Sequence, residues 1–136
     1  MARLKKIMVV DDEAGIRNLL SDALVEEGFK VTLAKDGRDS LKQMKNRRFD
    51  LLITDINMPH LDGIGLLRKM KKAGRKERVI IMTGESLDHS NLKKDIPPVF
   101  LELKKPFHMN HFLKVVSSAL ETAKKQTASV KTEKDK

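Results

Sequence analysis

Residues 7–13, IMVVDDE, form an apolar run of four that ends in three acids. A continuous apolar run of this length is typical of a strand buried on both faces of a parallel sheet. The same pattern returns at residues 50–55, DLLITD, and at residues 79–83, VIIMT, and each run ends in a polar side chain. These stretches predict a central parallel sheet whose strands end in carboxylate or hydroxyl side chains, which can bind ligands or react.

Segments with helical periodicity separate the apolar runs. After the first run, apolar residues recur at helical spacing from Ile16 to Leu24, and Gly28 ends that helix. Further strands are predicted at residues 29–34 and 99–103. Further helices are predicted up to about residue 48, around residues 66–70 and over residues 112–120. Five β-then-α units predict an α/β fold, with a doubly wound five-stranded parallel sheet as the middle of three layers.

Composition limits what the chain can be. It has 136 residues, no cysteine and a net charge of +9, so we expect one domain over residues 1–123, without disulfides or thiolate metal sites. Residues 124–136 are polar and charged without an apolar period, which predicts a disordered basic tail. We expect a cytoplasmic protein, because no apolar run approaches a membrane span or a signal-peptide core. Nucleic acid is disfavoured as a partner, because much of the positive excess lies at the two ends and Tyr and Trp are absent.

The strand ends carry a set of residues suited to handling phosphoryl groups. In open parallel sheets, ligands bind at the carboxyl ends of the strands, and here these ends are Asp11 with Asp12, Asp55, Thr83 and Lys105. Two carboxylates ~4 Å apart repel each other by roughly 4 kcal/mol at an effective dielectric constant of ~20. A divalent cation such as Mg²⁺ relieves that repulsion. Together with an ammonium and a hydroxyl, the acids can neutralise phosphoryl oxygens while one carboxylate attacks phosphorus.

Four motifs, in order and suitably spaced, resemble those of response-regulator receiver domains, the CheY-like family. The motifs are VVDDE at residues 9–13, TDINMP at 54–59 with LDG at 61–63, IMTG at 81–84, and KPF at 105–107. The resemblance covers about residues 5–123. It implies a flavodoxin-like strand order of 2-1-3-4-5 and a single-domain response regulator of a two-component phosphorelay, whose output is by protein contact.

The resemblance also implies roles for individual residues. Asp55 would accept a phosphoryl group from a phosphohistidine on a sensor histidine kinase or a phosphotransfer protein. Asp11, Asp12 and Asp55 would bind Mg²⁺ with the backbone carbonyl of Asn57, and Mn²⁺ can substitute.

Further implied roles concern binding and loss of the phosphoryl group. Thr83 and Lys105 would bind its oxygens, and the Lys105–Pro106 peptide bond would be cis. Asn57 and Glu85 would flank the water that hydrolyses the aspartyl phosphate and so tune its lifetime. The chain would not be an enzyme beyond its own phosphorylation and autodephosphorylation.

Two departures from the family pattern fall on the surface that receivers use for output. The family has Tyr or Phe three residues before the motif lysine, and this chain has Glu102. The family has a helix over residues 86–96, where this chain has a poor apolar stripe that ends at Pro97 and Pro98. A basic cluster at residues 68–78 is a solvated helix end or a docking site. We expect the downstream target to be a protein and the chain to be a monomer or weak dimer.

These residues also fit other interpretations. Asp11 and Asp12 could cap a helix, Asp55 could serve turn chemistry, and Lys105 could be a solvated side chain. A phosphatase of haloacid-dehalogenase type would need a second Asp at Asn57. A non-phosphorylated docking protein, or pseudo-receiver, and a receiver associated with nucleic acid are further alternatives.

Overall fold

A computed structural model of the chain describes residues 3–84 and 95–125, with side chains up to residue 121. Five parallel strands form one sheet in the order β2-β1-β3-β4-β5, which confirms the predicted fold class and strand order. The strands are β1 Lys6–Val10, β2 Lys30–Ala34, β3 Leu51–Asp55, β4 Arg78–Thr83 and β5 Leu101–Lys104. The helices of the described residues are α1 Ala14–Glu26, α2 Gly37–Met44, α3 Gly63–Lys72 and α4 Met109–Lys125.

Helices cover both faces of the sheet. Because successive strand residues point to opposite faces, Ile7 and Val9 pack in one core cluster with residues of α1 and α4. Met8 and Val10 pack in a second core cluster with residues of α2 and α3. The central strands are therefore buried on both faces, as their continuous apolar runs predict, and their ends are left as the accessible parts of the sheet.

Three element boundaries that differ from the sequence prediction concern α2, β5 and α4. Helix α2 ends at Met44 instead of near residue 48, because Lys45 already has an extended ψ of 127° and Asn46 then adopts a left-handed φ of 59°. Strand β5 begins at Leu101, two residues later than predicted. Helix α4 continues to Lys125, so the boundary predicted at residue 123 falls inside a helix. The rest of the predicted tail, 126–136, lies outside the described residues.

A buried ion pair ties the ends of α2 and α3 to the start of β3. The Arg75 guanidinium donates to the Glu77 carboxylate at 3.0 and 2.6 Å. It also donates to the backbone carbonyls of Met44 and Arg47, at 3.2 and 2.6 Å. The Glu77 side chain is only 3% exposed and accepts the backbone N–H of Phe49. This pair therefore connects residues 44–49 with residues 75–77, about 30 positions apart in the sequence.

Candidate functional site

The carboxyl ends of β1 and β3 bring three acids together. Asp11 and Asp12 directly follow β1, and Asp55 is the last residue of β3, the neighbouring strand. Each offers a carboxylate oxygen, and these oxygens lie within 4.8 Å of one another. Asp11 and Asp55 are buried, whereas Asp12 is exposed to solvent. The predicted convergence of these three acids at one edge of the sheet is confirmed.

Lys105 lies between two of the acids. Its ammonium is 3.2 Å from Asp55 Oδ2 and 3.4 Å from Asp11 Oδ2, and its side chain is 24% exposed. Its backbone N–H donates to the carbonyl of Thr83 at 2.8 Å, which anchors this loop to the end of β4. The peptide bond to Pro106 is cis, as predicted. Lys105 is thus a member of the acidic cluster, and its interpretation as a solvated lysine is wrong.

Burial and charge act in opposite directions on the pKa values of this cluster. Burial raises the pKa of Asp11, and the nearby Asp55 carboxylate adds to the rise, although the Glu13 N–H and the Lys105 ammonium oppose it. Burial alone would lower the pKa of Lys105, but the Asp11 and Asp55 carboxylates raise it. Lys105 therefore remains a fixed positive charge at neutral pH, and Asp11 holds a proton more readily than an ordinary aspartate.

Backbone contacts fix the orientation of the Asp55 carboxylate. Its Oδ1 accepts the backbone N–H of Ile56 at 2.8 Å, while its Oδ2 faces the Lys105 ammonium. The Thr54 hydroxyl donates to the Asp55 backbone carbonyl at 2.9 Å. The bond from the Ile56 N–H is the local turn contact expected of an aspartate, but it uses only Oδ1 of Asp55. The other oxygen points into the cluster.

Arg17, which the sequence analysis did not single out, supports the acids after β1. Its guanidinium donates to the backbone carbonyl of Asp11 at 2.7 Å. Asp11 Oδ1 accepts the N–H of Glu13 at 2.9 Å, and Glu13 itself is the N-cap residue of α1, without a side-chain capping bond. Neither Asp11 nor Asp12 therefore caps α1. No sequence pattern marks the contact of Arg17, because its partner is a backbone carbonyl.

The other predicted site residues lie around this cluster or outside the described residues. Thr83, the last residue of β4, is 2% exposed and follows Met82, the register partner of Asp55. Asn57 is exposed two residues after Asp55. Glu102 is half-buried on β5, opposite Ile81. Glu85 and residues 86–94 of the predicted irregular segment are not among the described residues.

The charge of the cluster fits a hard divalent cation. Three carboxylates and one ammonium leave two negative charges unbalanced. Carboxylate oxygens are the ligands that Mg²⁺ prefers, and ligands of one octahedral ion at ~2.1 Å lie up to about 4.2 Å apart, close to the spacing of the oxygens here. Asp11, Asp12 and Asp55 therefore suit such an ion with little rearrangement.

A glycine allows the segment after Asp55 to pack closely. The N–H of Gly63 donates to the Ile56 carbonyl at 2.8 Å at the start of α3. A Cβ atom on Gly63 would collide with the backbone carbonyl oxygen of Asp55 and lie 2.9 Å from Ile56 Cα. The position of the Asp55 backbone thus depends on the absence of a side chain at Gly63.

Comparison with known proteins identifies the class to which this fold and site belong. Residues 7–117 match the family model of the response regulator receiver domain. The chain belongs to the response regulator receiver family, whose members are signalling domains of phosphorelays. The resemblance drawn from the four motifs is therefore confirmed.

The chain is similar to proteins of about its own length and to part of longer proteins. It is 36% identical over 118 residues to the sporulation initiation phosphotransferase F of Bacillus subtilis, covering 85% of this chain and 94% of that protein. It is 30% identical to the transcriptional regulatory protein PcoR of Escherichia coli, covering 93% of this chain but only 56% of PcoR. The solved structure of the response regulator TrrA of Thermotoga maritima in complex with Mg²⁺ and BeF superposes with a TM-score of 0.75 at 30% identity, covering 86% of this chain and all of that one.

Receiver domains interact with histidine kinases or phosphotransfer proteins, and they bind Mg²⁺ at an acidic pocket. In this chain, Asp11, Asp12 and Asp55 form an acidic cluster at the corresponding edge of the sheet. Within residues 3–84 and 95–125, no helix is both long enough and apolar enough to cross a bilayer.

Proposed function

We propose that Asp55 accepts the phosphoryl group of a phosphohistidine carried by a sensor histidine kinase or phosphotransfer protein. The observation that carries this proposal is the contact of Asp55 Oδ2 with Lys105 Nζ at 3.2 Å, beside two further carboxylates. The Asp55 oxygen forms a bond to phosphorus while the bond from phosphorus to the imidazole nitrogen breaks. The imidazole leaves with the bonding electron pair and takes up a proton.

The neighbouring residues stabilise the charge that develops during this transfer. The Lys105 ammonium neutralises a phosphoryl oxygen, and the Thr83 hydroxyl binds another. Asp11, Asp12 and Asp55, with the backbone carbonyl of Asn57, would hold Mg²⁺ or Mn²⁺. When bound, this ion shields the attacking oxygen from the phosphoryl charge. Arg17 keeps the Asp11 backbone in place through its 2.7 Å bond.

We further propose that the chain is a cytoplasmic switch protein and that it performs no catalysis beyond its own phosphorylation and dephosphorylation. The receiver would extend to the end of α4 at Lys125, and residues 126–136 would form its tail. Output would pass to a protein target, from a monomer or weak dimer. Glu102 in place of the usual aromatic residue, together with segment 86–96, implies an altered output surface.

The test is phosphorylation from a small donor. The protein is incubated with acetyl phosphate and Mg²⁺, and its intact mass is followed over time. We expect one added phosphoryl group, which peptide mapping locates at Asp55, and no addition when a chelator removes Mg²⁺. A protein that stays unmodified under these conditions would support a pseudo-receiver.

Mg²⁺ binding is expected to weaken as the pH falls from neutral into the acidic range in which the carboxylates take up protons. Protons compete with a metal for its carboxylates, and the raised pKa of Asp11 moves this competition to a higher pH than for an ordinary aspartate. Calorimetric titration at several pH values measures the effect. An Mg²⁺ affinity that stays constant over this range, or equals that of Asp12→Ala, would contradict the assignment.

Gly63→Ala is expected to lower the free energy of unfolding by about 1–3 kcal/mol, since the new Cβ meets backbone that must shift. Because the shifted backbone carries Asp55, phosphorylation should slow by about tenfold or more. Gly15→Ala is the matched control, since open space surrounds Gly15 in α1 and alanine favours helices. Equal phosphorylation rates in the two variants would refute the positioning role of Gly63.

The aspartyl phosphate is expected to be short-lived. The side chains at Asn57 and Glu85 can orient the attacking water and are not bulky enough to exclude it. Asn57→Lys and Glu85→Lys should therefore lengthen the phosphoryl lifetime. Decay is followed in wild type and in both variants after removal of the phosphodonor. Identical decay in all three proteins would exclude control by these positions.

A further inference from the structure

The amino ends of the strands form an edge that is chemically opposite to the acidic site. Backbone hydrogen bonds join the strand starts in a row: Lys30 N–H donates to Lys5 O at 2.9 Å, Asp50 N–H to Lys6 O at 2.8 Å, and Arg78 N–H to Asp50 O at 3.3 Å. Neighbouring strands lie ~4.8 Å apart, so the row spans about 15 Å. It contains four basic residues and one acid.

The acid in this row is already paired. The Asp50 carboxylate accepts the Lys6 N–H at 2.8 Å and forms an ion pair with the Arg3 guanidinium at 3.3 Å. Although burial alone would raise the pKa of Asp50, these two contacts lower it, so Asp50 stays ionised and bound to Arg3. Lys5 and Arg3 both act on the Asp50 carboxylate through their charges, but one carboxylate balances only one positive charge. The row together with Arg3 therefore keeps an excess of positive charge.

The ends of α2 and α3 widen the row into a surface. Lys45 and Arg48 follow the end of α2. Lys72 is the last residue of α3, and Lys76 follows it. All four side chains are exposed. The ion pair between Arg75 and Glu77 holds these two helix ends together. Because Glu77 is paired with Arg75, its negative charge does not offset the exposed basic residues nearby. The strand-start row and these four residues are called the basic edge below. On the α1 side, the exposed acids Glu26 and Glu27 bound the basic edge.

Exposed apolar side chains lie at the same end of the molecule. Leu4, between Arg3 and Lys5, is 57% exposed, and Val25, in the last turn of α1, is 55% exposed. Phosphates of a nucleic acid and of a lipid headgroup both attract basic residues, but an exposed leucine gains from burial only where acyl chains lie beneath the phosphates. We propose that the basic edge docks onto a bilayer of anionic phospholipid, with Leu4 entering the headgroup region.

This docking leaves the phosphorylation site accessible. The five residues of β3 separate the basic edge from Asp55 by about 15 Å. The acidic cluster then faces away from the bilayer, toward a kinase or phosphotransfer protein. Membrane-bound protein should therefore be phosphorylated as fast as free protein.

The experiment measures co-sedimentation with lipid vesicles. Vesicles of phosphatidylcholine alone are compared with vesicles of equal parts phosphatidylcholine and phosphatidylglycerol. We expect binding to the anionic vesicles only, decreasing with salt. The triple variant Arg48→Gln/Lys72→Gln/Lys76→Gln should bind at least tenfold more weakly, because each basic side chain near an anionic surface contributes to the attraction.

A charge-matched control removes three exposed basic residues elsewhere: Lys35→Gln/Arg38→Gln/Lys114→Gln. We expect the control to bind within about twofold of wild type, and both triple variants to keep phosphorylation from acetyl phosphate, which verifies folding. Leu4→Ser should weaken vesicle binding but not the binding of duplex DNA. The proposal is overturned by equal binding to the two kinds of vesicle, by equal losses in the two triple variants, or by tighter binding to duplex DNA than to anionic vesicles.

Discussion

Asp55→Asn is expected to take up no detectable phosphoryl group from acetyl phosphate and Mg²⁺. A carboxamide keeps the shape of the side chain and can still accept the Ile56 N–H, so the fold should persist. It cannot act as the attacking oxygen, and it removes one of the negative charges that suit a divalent cation. Intact mass measured over time gives the result directly.

The matched control for this variant is Asp62→Asn. Asp62 caps α3 by accepting the Gly65 N–H at 2.8 Å, in the loop that follows Asp55. Asparagine caps helices as well as aspartate does, so this protein should be phosphorylated at the wild-type rate. Phosphate uptake by Asp55→Asn at the rate of Asp62→Asn would place the phosphoryl group elsewhere.

The sheet was predictable because its central strands are buried on both faces. Burial on both sides demands an uninterrupted apolar run, which residues 7–10 and 79–82 show directly. The strand order came from the resemblance and not from the apolar pattern. The end of α2 was not predictable from periodicity, because it depends on the backbone turn at Lys45 and Asn46.

The acidic cluster was predictable for a geometric reason. Parallel strands end at one edge, so residues that follow them, such as Asp11 and Asp55, must converge. The contacts that hold those residues were not predictable in the same way. Arg17 and Arg75 bind backbone carbonyls, which every residue carries, so no sequence pattern marks their partners.

Arg75→Ala is expected to lower the free energy of unfolding by about 3–5 kcal/mol, which is the usual cost of leaving one partner of a buried ion pair without its counter-charge. The Glu77 side chain is 3% exposed and would lose both of its bonds to the guanidinium. The carbonyls of Met44 and Arg47 would lose their donor as well. Urea unfolding measures the change, and Lys76→Ala, exposed between the two partners, should stay within about 0.5 kcal/mol of wild type.

A neutral double variant distinguishes a buried-charge effect from a general packing effect. In Arg75→Met/Glu77→Gln no charge remains buried, and the glutamine oxygen can still accept the Phe49 N–H that Glu77 now binds at 3.1 Å. We therefore expect the double variant to be more stable than Arg75→Ala, because the penalty of the unpaired Glu77 carboxylate is removed. If the double variant is as unstable as Arg75→Ala, the lost carbonyl contacts at the end of α2 account for the effect, and the ion pair itself contributes little to stability.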